Sequence, residues 1–174
     1  MTLFIKKIST EIAQNVWDNS SKSSIFNNPN FLECFTGISF YGCFLNKKLV
    51  TVLPVYLRKE KISEIPWNSY YFGPFFEENF QLKPFHSRLP KLLKIYESYL
   101  LFFKPLFKEI NFRFHWQNQD IRFFKWFKEK YNFCNITFDA KYTAILENSF
   151  DIKEWRALRR RQLKKIVSLK DEFF

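Results

Sequence analysis

The stretch Tyr41–Phe76, YGCFLNKKLVTVLPVYLRKEKISEIPWNSYYFGPFF, decides the fold. Two runs rich in β-branched and aromatic residues flank Asn46-Lys47-Lys48 and read as a hairpin turning there. A third strand, Ile62–Phe76, follows. Pro54 falls inside the second strand and cannot donate a ladder hydrogen bond. It therefore marks an edge or a bulge rather than a continuous central strand. A strand interrupted in this way can splay from its neighbour and open a slot in the sheet.

Outward from this stretch, Thr2–Ile8 reads as a short first strand. Ser9 or Thr10 can cap a helix over Glu11–Asn19, with Ile12 and Val16 at a four-residue step. Ser20–Asn28 is a polar loop. Pro29 suits the first turn of a short helix, Asn30–Phe35, which Gly37 ends. Downstream, Gly73-Pro74 forces a turn after the aromatic third strand, and Glu77–Arg88 reads as loop. Leu89–Phe103 is an amphipathic helix with Pro90 at its start. Glu109–His115 alternates as a strand, with Ile110, Phe112 and Phe114 on one side. Asp120–Tyr131 reads as a helix, Phe133–Phe138 and Tyr142–Glu147 as strands, and Asp151–Phe174 as a final helix. The expected class is α+β, with a central mixed, mostly antiparallel sheet flanked by helices.

The 174 residues suffice for one domain with a real core. No run approaches the roughly 20 apolar residues that span a bilayer, and the N-terminus lacks the h-region of a secretory signal. Cys34, Cys43 and Cys134 are widely spaced and read as reduced core thiols of a cytoplasmic protein. His86 and His115 stand apart from any metal-ligand spacing, so no metal is expected. The net charge of +11 invites a polyanion partner, but twenty of the 28 basic residues are Lys, scattered along the chain. Together with abundant Asn, Ile and Phe, that pattern also fits an AT-rich coding bias and a solvated lysine surface.

On a helical projection of 151–174, Ile152, Trp155, Leu158, Leu163, Ile166, Val167 and Leu169 share one half. Arg160, Lys164 and Lys165 lie outside that arc or at its rim. They read either as snorkelling stems or as a clamp for a phosphate or carboxylate.

Several motifs in order resemble the N-terminal half of a Fem-type GNAT acyltransferase. Ile25-Phe26-Asn27-Asn28-Pro29-Asn30-Phe31-Leu32 is similar to that family's "if-x-x-p-x-fl". Lys47–Arg58 is similar to "gk-lva-vlPl-yr", and Tyr70-Tyr71-Phe72-Gly73-Pro74 follows. Trp155 and Arg160-Arg161-Gln162-Leu163-Lys164-Lys165-Ile166 are similar to "R-x-N-i-r-k-a", with Gln162 where the family favours Asn. The resemblance covers almost the whole chain.

It implies a GNAT-like lobe over residues 1–150 and a basic amphipathic helix, 151–174, that opens a second lobe missing here. It further implies acyl or aminoacyl transfer to a phosphorylated cell-envelope or surface-glycan precursor, with acyl-CoA or aminoacyl-tRNA as donor and no cofactor held by the chain itself. A chain so cut would be inactive alone and would need a second GNAT-like lobe or a second copy of itself. Trp67, Asn68, Tyr70 and Tyr71 are then the expected substrate contacts near the cleft, joined by Arg160, Lys164 and Lys165 for a phosphate or carboxylate. No catalytic residue is singled out. A GNAT donor-phosphate loop needs clustered backbone N–H groups, usually on a Gly-rich turn before a helix. Gly37, Gly42 and Gly73 all lie elsewhere. Two other readings stand beside this one. A basic, aromatic surface also suits a nucleic-acid (tRNA) binding module, and an uncovered apolar face on the last helix would suit an inert remnant or interaction subunit.

Overall fold

The structure, a computed structural model, describes residues 2–20, 24–115 and 122–131. They fall in one compact unit that spans Met1–Thr137. The expected elements at 133–138, 142–147 and 151–174 lie outside the described residues, as do Cys134, Arg160, Lys164 and Lys165.

The fold is α+β. Six strands form one sheet among the described residues: β1 (Leu3–Ile8), β2 (Ile38–Leu45), β3 (Lys48–Lys59), β4 (Ile62–Glu64), β5 (Phe75–Phe76) and β6 (Glu109–Ile110). The order is β1-β2-β3-β4-β6, with β5 also against β3. Every strand pair is antiparallel except β4–β6. The β2–β3 hairpin turns on Asn46 at φ 49° and Lys47 at φ 69°. Two successive left-handed residues match the right-handed twist of the flanking strands, which is why the loop can be so short. Asn46 also closes the end of β1: its N–H donates to Thr2 O at 3.0 Å and its Oδ1 accepts from Thr2 N at 3.1 Å.

Helix α1 (Thr10–Asp18) starts where Ser9 Oγ accepts from Ile12 N at 3.4 Å. A 3-10 turn (Ile25–Asn27) leads into α2 (Pro29–Leu32), capped by Asn28. Gly37, at φ 102°, then redirects the chain, and a Cβ there would lie 2.4 Å from the Leu57 carbonyl oxygen. No other residue fits that approach.

Side chains alternate across β3, and two cores result. Val52 and Tyr56 pack with Ala13, Val16 and Leu32 of α1 and α2. Leu53, Val55 and Leu57 pack with Ile95, Tyr96, Tyr99 and Phe103 of α4 (Phe85–Phe103) and with Phe123, Phe124 and Phe127 of α5 (Arg122–Tyr131).

Five expectations are corrected. Ile62–Phe76 is two short strands joined by a loop, because Pro66 and the left-handed Asn68 interrupt it. Glu77–Arg88 is not all loop: it holds α3 (Glu78–Gln81) and the first turn of α4. Pro90 therefore lies inside α4 rather than at its start, on an exposed side where water can reach the freed carbonyl. Of Glu109–His115 only Glu109–Ile110 is strand, although Arg113 bridges back to Phe72. Finally, Cys34 is exposed, whereas Cys43 is a core thiol whose burial pushes its pKa up to about 12.

Candidate functional site

Pro54 sits in a strand paired on both sides, but not along its whole length. Toward β2 the ladder passes through Phe40↔Pro54 without interruption. On the other side, Thr51 and Val52 pair with β5, while Tyr56, Leu57 and Lys59 pair with β4. Among the described residues Leu53–Val55 have no partner there. The Leu57 N–H donates to Gly37 O at 3.1 Å, toward β2. Alternation then aims the position of Pro54's missing N–H into the unpaired stretch. The proline thus creates a local edge within a central strand, neither a true sheet edge nor the bulge, which lies opposite Cys43/Phe44.

The loop Ile65–Pro74 has one foot on each side of that gap. It leaves β4 after Glu64, which faces Tyr56, and enters β5 at Phe75, which faces Val52. Pro66 starts a turn closed by Ser69 N donating to Pro66 O at 3.1 Å, and Asn68 takes φ 61° within it. Asn is among the few residues that adopt this conformation at modest cost.

Further contacts fix the loop backbone. Phe72 and Arg113 exchange two backbone hydrogen bonds of 2.8 Å. Arg113 Nη1 donates to Ser69 O at 3.1 Å, and Gly73 N donates to Oδ1 of the buried Asn27 at 3.4 Å. The side chains between these anchors point outward: Trp67 is 81% exposed and Tyr70 72%. Tyr70 lies edge-on to Phe26 with ring centroids 5.3 Å apart, and Tyr71 lies against His115 at 4.5 Å. Partial burial lowers the His115 pKa below the usual imidazole value.

The structure therefore brings Trp67, Asn68, Tyr70 and Tyr71 together on one anchored loop. Sequence reasoning missed Phe26, Asn27, Arg113 and His115. Asn27 lies in the quoted Ile25–Leu32 motif, and the alternation over Glu109–His115 put Arg113 and His115 on one side. Neither signal named their partners.

A cavity of about 10 Å³ lies among Leu53, Pro74, Tyr99, Ile110, Phe112 and Phe114, at the lower limit for one water. An open groove of about 530 Å³ between α1 and α2 is lined by Glu11, Asp18 and Glu33 with neutral polar residues. Its sign disfavours a phosphate there. The turn Leu82–Pro84 before α4 contains no glycine, as the sequence required, and no group of three or more His, Cys, Asp or Glu among the described residues is placed to hold a metal.

No protein-family model matches the sequence, and no curated protein matches it. Among solved structures, the chain is similar to an aminoglycoside acetyltransferase from an uncultured soil metagenomic sample, solved in complex with sisomicin. Identity is 13% and the TM-score 0.41, over 83% of this chain and 97% of that one. A ribosomal-protein-alanine N-acetyltransferase from Brucella melitensis biovar Abortus 2308 gives 9% and 0.37, over 85% and 99%. An acetyltransferase from Streptococcus agalactiae 2603 gives 14% and 0.33, over 84% and 92%. Likeness this distant transfers neither reaction nor substrate to this chain.

Proposed function

We propose that this chain is the N-terminal lobe of a Fem-type GNAT acyl- or aminoacyltransferase, working in the cytoplasm on a phosphorylated cell-envelope or surface-glycan precursor. Acyl-CoA or aminoacyl-tRNA is the donor. A second GNAT-like lobe or a second copy completes the cleft, and Arg160, Lys164 and Lys165 hold a phosphate or carboxylate there. The observation that carries this reading is the one-sided gap at Pro54, straddled by a loop that presents Trp67 and Tyr70. Catalysis in such a site rests on holding an amine or hydroxyl against the activated acyl carbon.

Calorimetric titration with acyl-CoA, aminoacyl-tRNA and a nucleotide-sugar tests the proposal. Heat is expected with at least one of them, and Trp67→Ala should weaken that ligand about tenfold through the lost stacking surface. Absence of heat with all three overturns it.

A nucleic-acid module is a second reading, favoured by two outward aromatic rings on a chain of net charge +11. It requires RNA affinity that falls steeply with salt. Weak, salt-insensitive binding removes it.

A further inference from the structure

The apolar stripe of α4 runs past the core it serves. Phe85, Leu89, Leu92, Tyr96, Tyr99 and Phe103 follow at steps of three and four along one face. Tyr96, Tyr99 and Phe103 are buried and Leu89 and Leu92 are partly covered, but Phe85 is 49% exposed. Leu82, in the turn just before the helix, is 70% exposed.

Two features separate this tip from an ordinary scatter of surface hydrophobics. The first is charge. From Leu82 to Tyr96 the chain carries Lys83, Arg88, Lys91 and Lys94 and no Asp or Glu. The second is that the tip is held in shape. Arg88 Nη1 donates to Gln81 O at 2.7 Å, and its guanidinium lies 5.9 Å from the Phe85 ring centroid. Gln81 is itself anchored, its Nε2 donating to Ser20 Oγ at 2.8 Å and to Phe76 O at 2.7 Å. The side chains at the tip therefore lose little backbone freedom on docking.

We infer that the tip formed by Leu82, Lys83, Phe85, Arg88 and Lys91 is a peripheral contact for an anionic lipid bilayer. Leu82 and Phe85 enter the headgroup layer while the cations meet lipid phosphates. The pairing of an apolar point with a mostly basic rim, in which Lys83, Arg88, Lys91 and Lys94 outnumber Glu77 and Glu78 of the adjoining turn, selects this occupant. A nucleic acid would use the cations and gain little from Leu82 and Phe85, and a free phosphate would use neither apolar side chain. Among the described residues no helix is long and apolar enough to cross a membrane, so the contact made by the tip lies on the surface. Two apolar side chains and three cations give reversible rather than permanent attachment.

Co-sedimentation of the full chain with phosphatidylglycerol vesicles, against phosphatidylcholine vesicles, tests this. Binding is expected to the anionic vesicles and to fall with salt. The variant Leu82→Ser/Phe85→Ser should lower partitioning about tenfold. Lys83→Gln/Lys91→Gln should lower it about twentyfold at low salt, at about fivefold per charge. Both pairs are at the surface, and an unchanged far-UV circular dichroism spectrum would show that the fold survives. Equal partitioning of the wild type and Leu82→Ser/Phe85→Ser overturns the inference, as does equal binding to both vesicle types. So does displacement from vesicles by inorganic pyrophosphate or RNA when the Leu82/Phe85 variant binds like the wild type, for the cations then serve a soluble anion. The donor titration above uses no vesicles, so the two proposals fail separately.

Discussion

Tyr99 on α4 and Tyr70 on the Ile65–Pro74 loop are the same residue type in opposite settings. Tyr99 is buried, its hydroxyl within reach of Tyr41 O at 3.0 Å and Thr51 O at 3.2 Å, and burial holds its pKa well above the usual value. Tyr70 is 72% exposed and lies edge-on to Phe26. On α4 the side chains make the structure, filling the core with stacked and edge-on rings. On the loop the backbone makes the structure, through Arg113 and Asn27, and the Trp67 and Tyr70 rings are left over. Rings that the fold does not consume are free for a ligand, whereas rings in the core are not. The comparison breaks if a loop ring proves as important to stability as a core ring.

The largest stability effect should come from the core. Phe103 is fully buried and touches Tyr41, Tyr99, Phe102 and Phe107. Phe103→Ala should cost about 4 kcal/mol through lost transfer energy and a residual cavity. A chemical denaturation curve measures it, and a shift like that of a surface variant would show that the rings around Phe103 are loosely packed. Tyr99→Phe is a finer probe, since it keeps the ring and removes only the hydroxyl. A loss of about 1 kcal/mol is expected from the one hydrogen bond that the hydroxyl shares between the two strand carbonyls. No loss would mean that the sheet satisfies those carbonyls by itself.

The core half of this contrast is largely legible in the sequence. The apolar spacing of Leu92, Tyr96, Tyr99 and Phe103 announces a buried helical face, and Asn46-Lys47 announces the hairpin, because both follow from local periodicity and turn chemistry. The loop half is not. Tyr70-Tyr71-Phe72 has the aromatic density of a buried strand, and only tertiary contacts reveal that Phe72 alone turns inward. The anchors Asn27 and Arg113 lie 46 and 44 residues from the loop residues they hold, which no local pattern encodes. Pro54 was readable as an interruption. That its missing donor faces a gap between two different partner strands depends on where β4 ends and β5 begins.

Backbone control of the loop makes Asn68 its sensitive point. At φ 61° a β-branched side chain meets its own backbone, so Asn68→Val should destabilise by about 1 kcal/mol. Asn68→Gly should be close to neutral, because glycine takes this conformation freely. The measurement is the difference in denaturation midpoint between the two variants. Equal effects would mean that the Asn68 side chain, not its backbone angle, sets the loop, and the contrast with α4 would weaken.

The smallest expected effect concerns the link between α4 and α5. Glu97 accepts from Lys130 Nζ at 2.8 Å and from the Tyr131 hydroxyl. The Lys130 hydrogen bond, followed by that of Tyr131, holds the Glu97 pKa below the usual carboxylate value and raises that of Lys130. A carboxyl with a depressed folded-state pKa binds protons more tightly in the unfolded chain. Its contribution is therefore complete above the ordinary Glu range and fades as pH falls through the folded-state value. Glu97→Gln should lower stability at neutral pH by less than any core substitution, since the Lys130 side of the pair is exposed to solvent. The gap to the wild type should close on acidification and narrow with added salt. A gap that stayed constant from neutral to acid pH would mean that Glu97 acts by packing on Tyr131, so that charge adds nothing to the core contacts that already hold α5.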